Sequence, residues 1–96
     1  MAIQSFSDRD TEEFFISARL KKGKGWANVS KIAKRKLDMI HYATRLDDLK
    51  APPGNRLESL SGDLKGYHSI RINEQWRIVF RWTDAGPHEV RITDYH

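Results

Sequence analysis

The sequence predicts an α+β domain: two N-terminal helices packed on a mainly antiparallel, twisted sheet of four to five strands. Three observations carry this. Apolar residues recur at helical spacing up to about Arg45. From Ser69 onward they alternate with polar residues at period two, the mark of strands with one buried face. The two halves are separated by Pro52-Pro53-Gly54, so helices precede strands instead of interleaving with them, and segregated elements stack as two layers. At 96 residues the chain is read as one domain, 1–96. It lies just above the size at which a core needs a disulfide or a metal.

Ala2 to Phe6 is a short candidate edge strand. Ser7 or Asp8 caps a first helix, expected from about Asp8 to Arg19, with Glu12 and Glu13 where the helix dipole favours negative charge. Phe14, Phe15, Ala18 and Leu20 form its apolar stripe. Lys21 to Trp26 then breaks the helix, because Gly23 and Gly25 disfavour its continuation. Trp26 in this basic segment either stacks on a nucleotide or folds back on the core, and the second reading is preferred. Asn28 is the expected cap of a second helix that stops near Thr44 or Arg45. Val29, Ile32, Ala33, Leu37, Met39, Ile40 and Ala43 fall on one arc of it. Lys36 projects within that arc, so it either snorkels past Ile32 and Ile40 or meets a carboxylate.

Leu46 and Leu49 mark a short turn that touches the core, and Arg56 to Leu60 is a candidate strand. Gly62 to Gly66 is a turn. Two alternating runs follow. Ile70 and Ile72 share a side with Trp76, Ile78, Phe80 and Trp82, whereas Arg71, Arg77, Val79 and Arg81 share the other. A two-residue loop would set Ile72 opposite Arg77, whereas the three-residue loop Asn73-Glu74-Gln75 pairs Ile70 with Ile78 and Arg71 with Arg77. The odd loop is the expectation. A last run, His88 to Thr93, sets Val90 and Ile92 against Glu89, Arg91 and Thr93. One sheet face then lies under the helices, and the other is expected to be open and to display Arg71, Arg77, Arg81 and Arg91.

Charge is segregated. The net charge is +4, yet eight Lys and Arg residues and no acid lie between Phe14 and Leu37, while the rest of the chain nets −4. A local basic patch of this kind suits a polyanion or an acidic partner surface; the plain alternative is a solvated helix face. There is no cysteine, hence no disulfide framework and no thiolate metal site, and the four histidines show no pair at metal-ligand spacing. No apolar run approaches the length of a membrane span, and the start is polar and charged, so the expectation is a soluble, cytoplasmic protein without membrane contact.

The segment GDLKGYHSIRINEQWRIVF, with Asp94-Tyr95-His96 at the C-terminus, resembles the HigB-type toxins of bacterial toxin–antitoxin modules, within the RelE/ParE superfamily. The upstream PPGNRLESLSG is similar to the branch that includes the GraT toxin. The resemblance covers the last half of the chain strongly and the first half by layout. It implies a RelE-like fold and a type II toxin that cleaves mRNA in the A site of the 70S ribosome, with no cofactor. It also implies neutralisation by a HigA-like helix-turn-helix antitoxin.

Metal-independent RNA cleavage needs a base for the 2′-OH, an acid for the leaving 5′ oxygen and cations for the charged phosphorane. Arg77, mid-strand and bidentate towards phosphate, is the candidate for the last role, and Trp76-Arg77-Ile78 matches the family's motif for it. Its plain alternative is an ion pair with a sheet carboxylate such as Glu89. The resemblance carries proton handling onto Asp94 and His96, and base orientation or stacking onto Tyr95. Parity places Asp94 and His96 on the Val90–Ile92 side, so a bulge or a twist of the tail is needed to bring them to Arg77. Where better-known relatives have a histidine and, three residues on, a lysine, this chain has Glu58 and Ser61. Glu58 is a candidate base, and Arg56 is a candidate to restore the missing charge. Lys21, Lys22, Lys24, Lys31, Lys34 and Arg35, together with Arg71, are the expected contacts to RNA or ribosome. His68 is either plain sheet surface or a site member. Two other functions are weighed: a ParE-like toxin that is not a nuclease, and a non-catalytic RNA-binding module, which would need no D-Y-H.

Overall fold

The computed structural model describes residues 2–20 and 25–94. The first helix, α1, spans Arg9–Ser17. Asp8 caps it, its Oδ1 accepting from the Thr11 N–H at 2.6 Å, and Ala18 ends it in the left-handed region. A 3-10 turn, Gly25–Val29, leads into α2, Ser30–Tyr42. Asn28 does not cap α2: the cap position is Val29, because the 3-10 turn abuts the helix and replaces a side-chain cap. A Cβ on Gly25 would lie 2.6 Å from Trp76 Cζ2, so glycine lets this turn close on the sheet. Trp26 folds back on the core, 4.8 Å from the Phe14 ring and edge-on to it. Among the described residues no helix is long and apolar enough to cross a membrane.

Among the described residues four strands form one antiparallel sheet in sequence order: β1 (Glu58–Ser59), β2 (Tyr67–Arg71), β3 (Trp76–Thr83) and β4 (Gly86–Asp94). The odd hairpin loop is present, with Ile70 opposite Ile78 and Arg71 opposite Arg77. Asn73 shapes it: its Oδ1 accepts from the Gln75 and Trp76 amides at 2.9 and 2.7 Å, an Asx turn. Ile70, Ile72, Ile78, Phe80, Val90 and Ile92 face Ala33, Leu37 and Ile40 of α2, and the core lies between these layers.

Ala2 to Phe6 forms no strand. It lies along the outer edge of β4, with Gln4 N–H donating to Pro87 O at 2.8 Å, Val90 N–H to Ser5 O at 3.1 Å, and Ser7 N–H to Val90 O at 3.0 Å. A bulge explains the broken ladder. The register steps from Val79↔Arg91 to Arg81↔His88, which leaves one extra residue in β4 opposite Phe80, and Glu89 takes φ +54°. The displaced Glu89 N–H donates to Ser5 Oγ, and Ser7 Oγ donates to Glu89 O. The buried Thr11 Oγ1 accepts the Ile92 N–H at 3.1 Å and ties α1 to the same edge. Thr11→Val is expected to cost about 1–3 kcal/mol, since that amide would be left unpaired in the interior. A urea titration showing a lower midpoint at unchanged slope checks it.

Candidate functional site

The side of the sheet away from the helices is less open than alternation suggested. Arg77 is only 4% exposed, and Ser69 and Val79 beside it are buried. The expectation of an openly displayed Arg77 is corrected: the segment from Arg56 to Leu64 folds over this face, and β1 pairs with β2 there. A buried guanidinium must be hydrogen-bonded, and this one is. Its Nε donates to Ser69 Oγ at 2.8 Å, and its Nη2 donates to Arg56 O at 2.7 Å. Its Nη1 stands 3.8 Å from Glu58 Oε1. The alternative partner, Glu89, is taken by Arg81 at 2.9 Å, and that guanidinium holds the Glu89 carboxyl below the usual carboxylate range.

Arg77, Arg71, Arg56, Glu58, Asn73 and Glu74 line one cavity of about 400 Å³. Three guanidinium-bearing residues and two carboxylates, Glu58 and Glu74, therefore converge at the β2–β3 hairpin. Arg56 enters because its backbone is left-handed (φ +46°) just after the 3-10 turn Pro53–Asn55. That turn is anchored from below. Asn55 is wholly buried, and its Nδ2 donates to Leu49 O and Ala51 O, both at 3.2 Å. Its Oδ1 accepts from Lys36 Nζ. Lys36 thus does not snorkel, and among the described residues it meets an amide oxygen and no carboxylate. Burial, and then the charges of Arg35 and Arg71, lower its pKa.

Asp94 ends β4 opposite Trp76, the side read from parity. The bulge needed to change that parity exists, but at Glu89, upstream of Val90, so the Ile92–Asp94 phase is unaltered. Asp94 accepts from Gln75 Nε2 at 2.9 Å. It also borders a second groove of about 520 Å³, with Ser61, Leu64, Val79, Arg91 and Thr93. Tyr95 and His96 lie outside the described residues, as do Lys21, Lys22 and Lys24. Lys31 and Lys34 belong to the helix layer, where they line a depression with Phe14, Ala18 and Leu20. Lys34 pairs with Asp38 at 2.7 Å, and Arg35 is exposed. None of these three lines the Arg77 cavity, whereas Arg71 does. Among the described residues no group of three or more His, Asp or Glu side chains could hold a metal ion.

The model of the HigB-like toxins, RelE-like toxins of the type II toxin–antitoxin system HigB, matches residues 4–96. The chain belongs to this family. It is 51% identical over 51 residues to Toxin HigB-1 of Vibrio cholerae, covering 53% of this chain and 54% of that protein. It is 33% identical over 61 residues to Endoribonuclease HigB of Proteus vulgaris, covering 64% and 65%. The chain spans between about half and two thirds of the length of these curated relatives. Two solved structures share the fold end to end. The YoeB/ParE toxin from Agrobacterium tumefaciens has TM-score 0.57 at 24% identity, with all of both chains covered. The YoeB–YefM complex from Staphylococcus aureus has TM-score 0.55 at 18% identity, covering 100% of this chain and 99% of that one. In this HigB-like toxin the α+β layout expected from the sequence is the family fold.

Sequence reading missed Ser69, Asn55 and the role of Lys36 in this HigB-like toxin. Ser69 had a signal, since it shares the parity of Arg71 and Arg77. Asn55 had none beyond its place after Pro-Pro-Gly. His68 is not part of the cavity: it shares the side of Ile70, opposite Phe80, at 6.4 Å between rings. Its Nδ1 is buried without a hydrogen-bond partner, and burial lowers its pKa from 6.5. The folded state therefore favours the neutral ring. As pH falls below 6.5 the unfolded chain takes up a proton before the folded one does, and stability declines towards the folded pKa. Urea midpoints between about pH 7.5 and 5 are expected to fall more steeply for the native chain than for His68→Phe.

Proposed function

We propose that this HigB-like toxin is a ribosome-dependent mRNA endoribonuclease of a type II module, acting in the cytoplasm on mRNA in the ribosomal A site and restrained by a HigA-like antitoxin. The observation that carries the reading is the cavity in which Arg56, Arg71 and Arg77 meet Glu58. A scissile phosphate entering there meets Arg77 in a fixed orientation, because Ser69 Oγ and Arg56 O hold its guanidinium. Preorganised cations of this kind stabilise charge that grows in the transition state. The 2′-OH loses its proton, its oxygen attacks phosphorus, the bond from phosphorus to the 5′ oxygen breaks, and that oxygen takes a proton. The products are a 2′,3′-cyclic phosphate and a 5′-hydroxyl. In this reading Glu58 is the general base, Asp94 and His96 supply the proton to the leaving oxygen, and Tyr95 orients or stacks on a nucleobase of the mRNA. Lys31, Lys34 and Arg35, with Lys21, Lys22 and Lys24, hold ribosomal RNA backbone, a salt-dependent contact without base selectivity.

Primer extension on a reporter mRNA, with purified protein and with or without ribosomes, tests the proposal. New 5′ ends that require ribosomes and vanish when His96 is deleted support it. Absence of cleavage on ribosomes overturns it and leaves the ParE-like or RNA-binding alternative.

A further inference from the structure

We propose that Lys36, acting through Asn55, is a positioning residue for Arg77, so that α2 on one side of the sheet sets the geometry of the cavity on the other. The consequence for cleavage rests on the nuclease reading above.

The link is continuous. Lys36 projects from the apolar arc of α2 and is 8% exposed; its ammonium donates to Asn55 Oδ1. Asn55 spends its amide N–H groups on Leu49 O and Ala51 O, which closes the loop around its own side chain. Arg56 follows directly, left-handed, with its N–H on Pro53 O at 3.1 Å. Its carbonyl is thereby aimed at Arg77 Nη2, 2.7 Å away. Each step is held by a hydrogen bond to backbone or by a buried polar pair.

The chemistry of the pair suits positioning better than packing. An ammonium is a costly filler for an apolar arc, and a methionine of similar length would occupy the space without desolvating a charge. The acceptor is an amide, not a carboxylate, so Lys36 keeps its positive charge unneutralised by Asn55. A carboxylate at position 55 would pair with Lys36 but could not donate to two carbonyls, and the loop carrying Arg56 would lose its closure. An asparagine between a lysine and two carbonyls satisfies all three.

The test uses the full chain. Side-chain NMR follows the Arg77 Nε–H, which donates to Ser69 Oγ, in the native protein, Lys36→Met and Lys36→Arg. Lys36→Met is expected to speed its exchange with water about tenfold or more while core amides stay protected. On programmed ribosomes the same variant is expected to lower kcat roughly ten- to a hundredfold at unchanged KM, the cost of a small misplacement. Lys36→Arg, which keeps a donor, restores both. If Lys36→Met does not fold, Lys36→Gln, too short to reach Asn55 in the same way, takes its place. An Arg77 signal that does not move in a folded variant overturns the proposal, as does a failure of Lys36→Arg to restore it. If the native protein cleaves nothing, the nuclease reading falls, while the Arg77 signal still decides the positioning link.

Discussion

Under the proposed nuclease function, Arg77→Ala is expected to lower ribosome-dependent cleavage by roughly 10²–10³-fold, the usual cost of removing one preorganised stabiliser of transition-state charge. The variant should remain folded. Its loss leaves Arg56 O and Ser69 with one partner fewer, a cost of about 1–3 kcal/mol. Against a domain stability of about 5–15 kcal/mol, that is a weakened protein but not an unfolded one. The measurement pairs single-turnover cleavage on programmed ribosomes with a urea titration of the same preparation. A folded Arg77→Ala protein that cleaves at the native rate would remove Arg77 from the mechanism.

Arg77→Lys sharpens the argument. It keeps the charge but not the planar fork. The guanidinium is held on one edge by Ser69 Oγ and Arg56 O, and it faces Glu58 with Nη1. A lysine ammonium has no such two-sided seat, so charge without orientation is expected to recover little of the lost rate. Full recovery would mean that the site needs only a positive potential.

Which parts of this site could be read from the sequence follows from the kind of signal each part leaves. Strand parity is a local, repeating signal, so the hairpin loop, the Ile70–Ile78 register and the side of Arg77 were all legible. Parity says which side a residue faces, not whether something lies over it. The segment that covers Arg77, Arg56 to Leu64, has no sustained period, only two of its residues are strand, and it left no pattern to read. The Lys36–Asn55 pair joins residues 19 apart on different layers. From the sequence, Lys36 could only be seen as a defect in an apolar arc. The partner of that lysine is an amide, which accepts from Lys36 and donates to two loop carbonyls at once. The expected strand at Ala2 to Phe6 failed for a similar reason. Its edge partner β4 is bulged at Glu89, and a bulge interrupts the ladder that would have made the segment a strand.

Phe80→Ala is expected to cost about 3–5 kcal/mol, because it empties a large, fully buried site on the helix-facing side of β3. For a domain of this size that lowers the melting temperature by roughly 12–40 °C. Thermal unfolding followed by circular dichroism measures it; a shift of a few degrees would mean that the space refills. The comparison with Arg77→Ala separates two ways of losing activity along one strand, three residues apart. Phe80→Ala should lose cleavage in proportion to the fraction unfolded, and cooling or a stabilising co-solvent should restore it. Arg77→Ala should keep its rate deficit at every temperature at which it is folded. The alternation of β3 thus assigns each residue a different failure: on one side a residue that holds the layers together, on the other a residue that those layers hold in place.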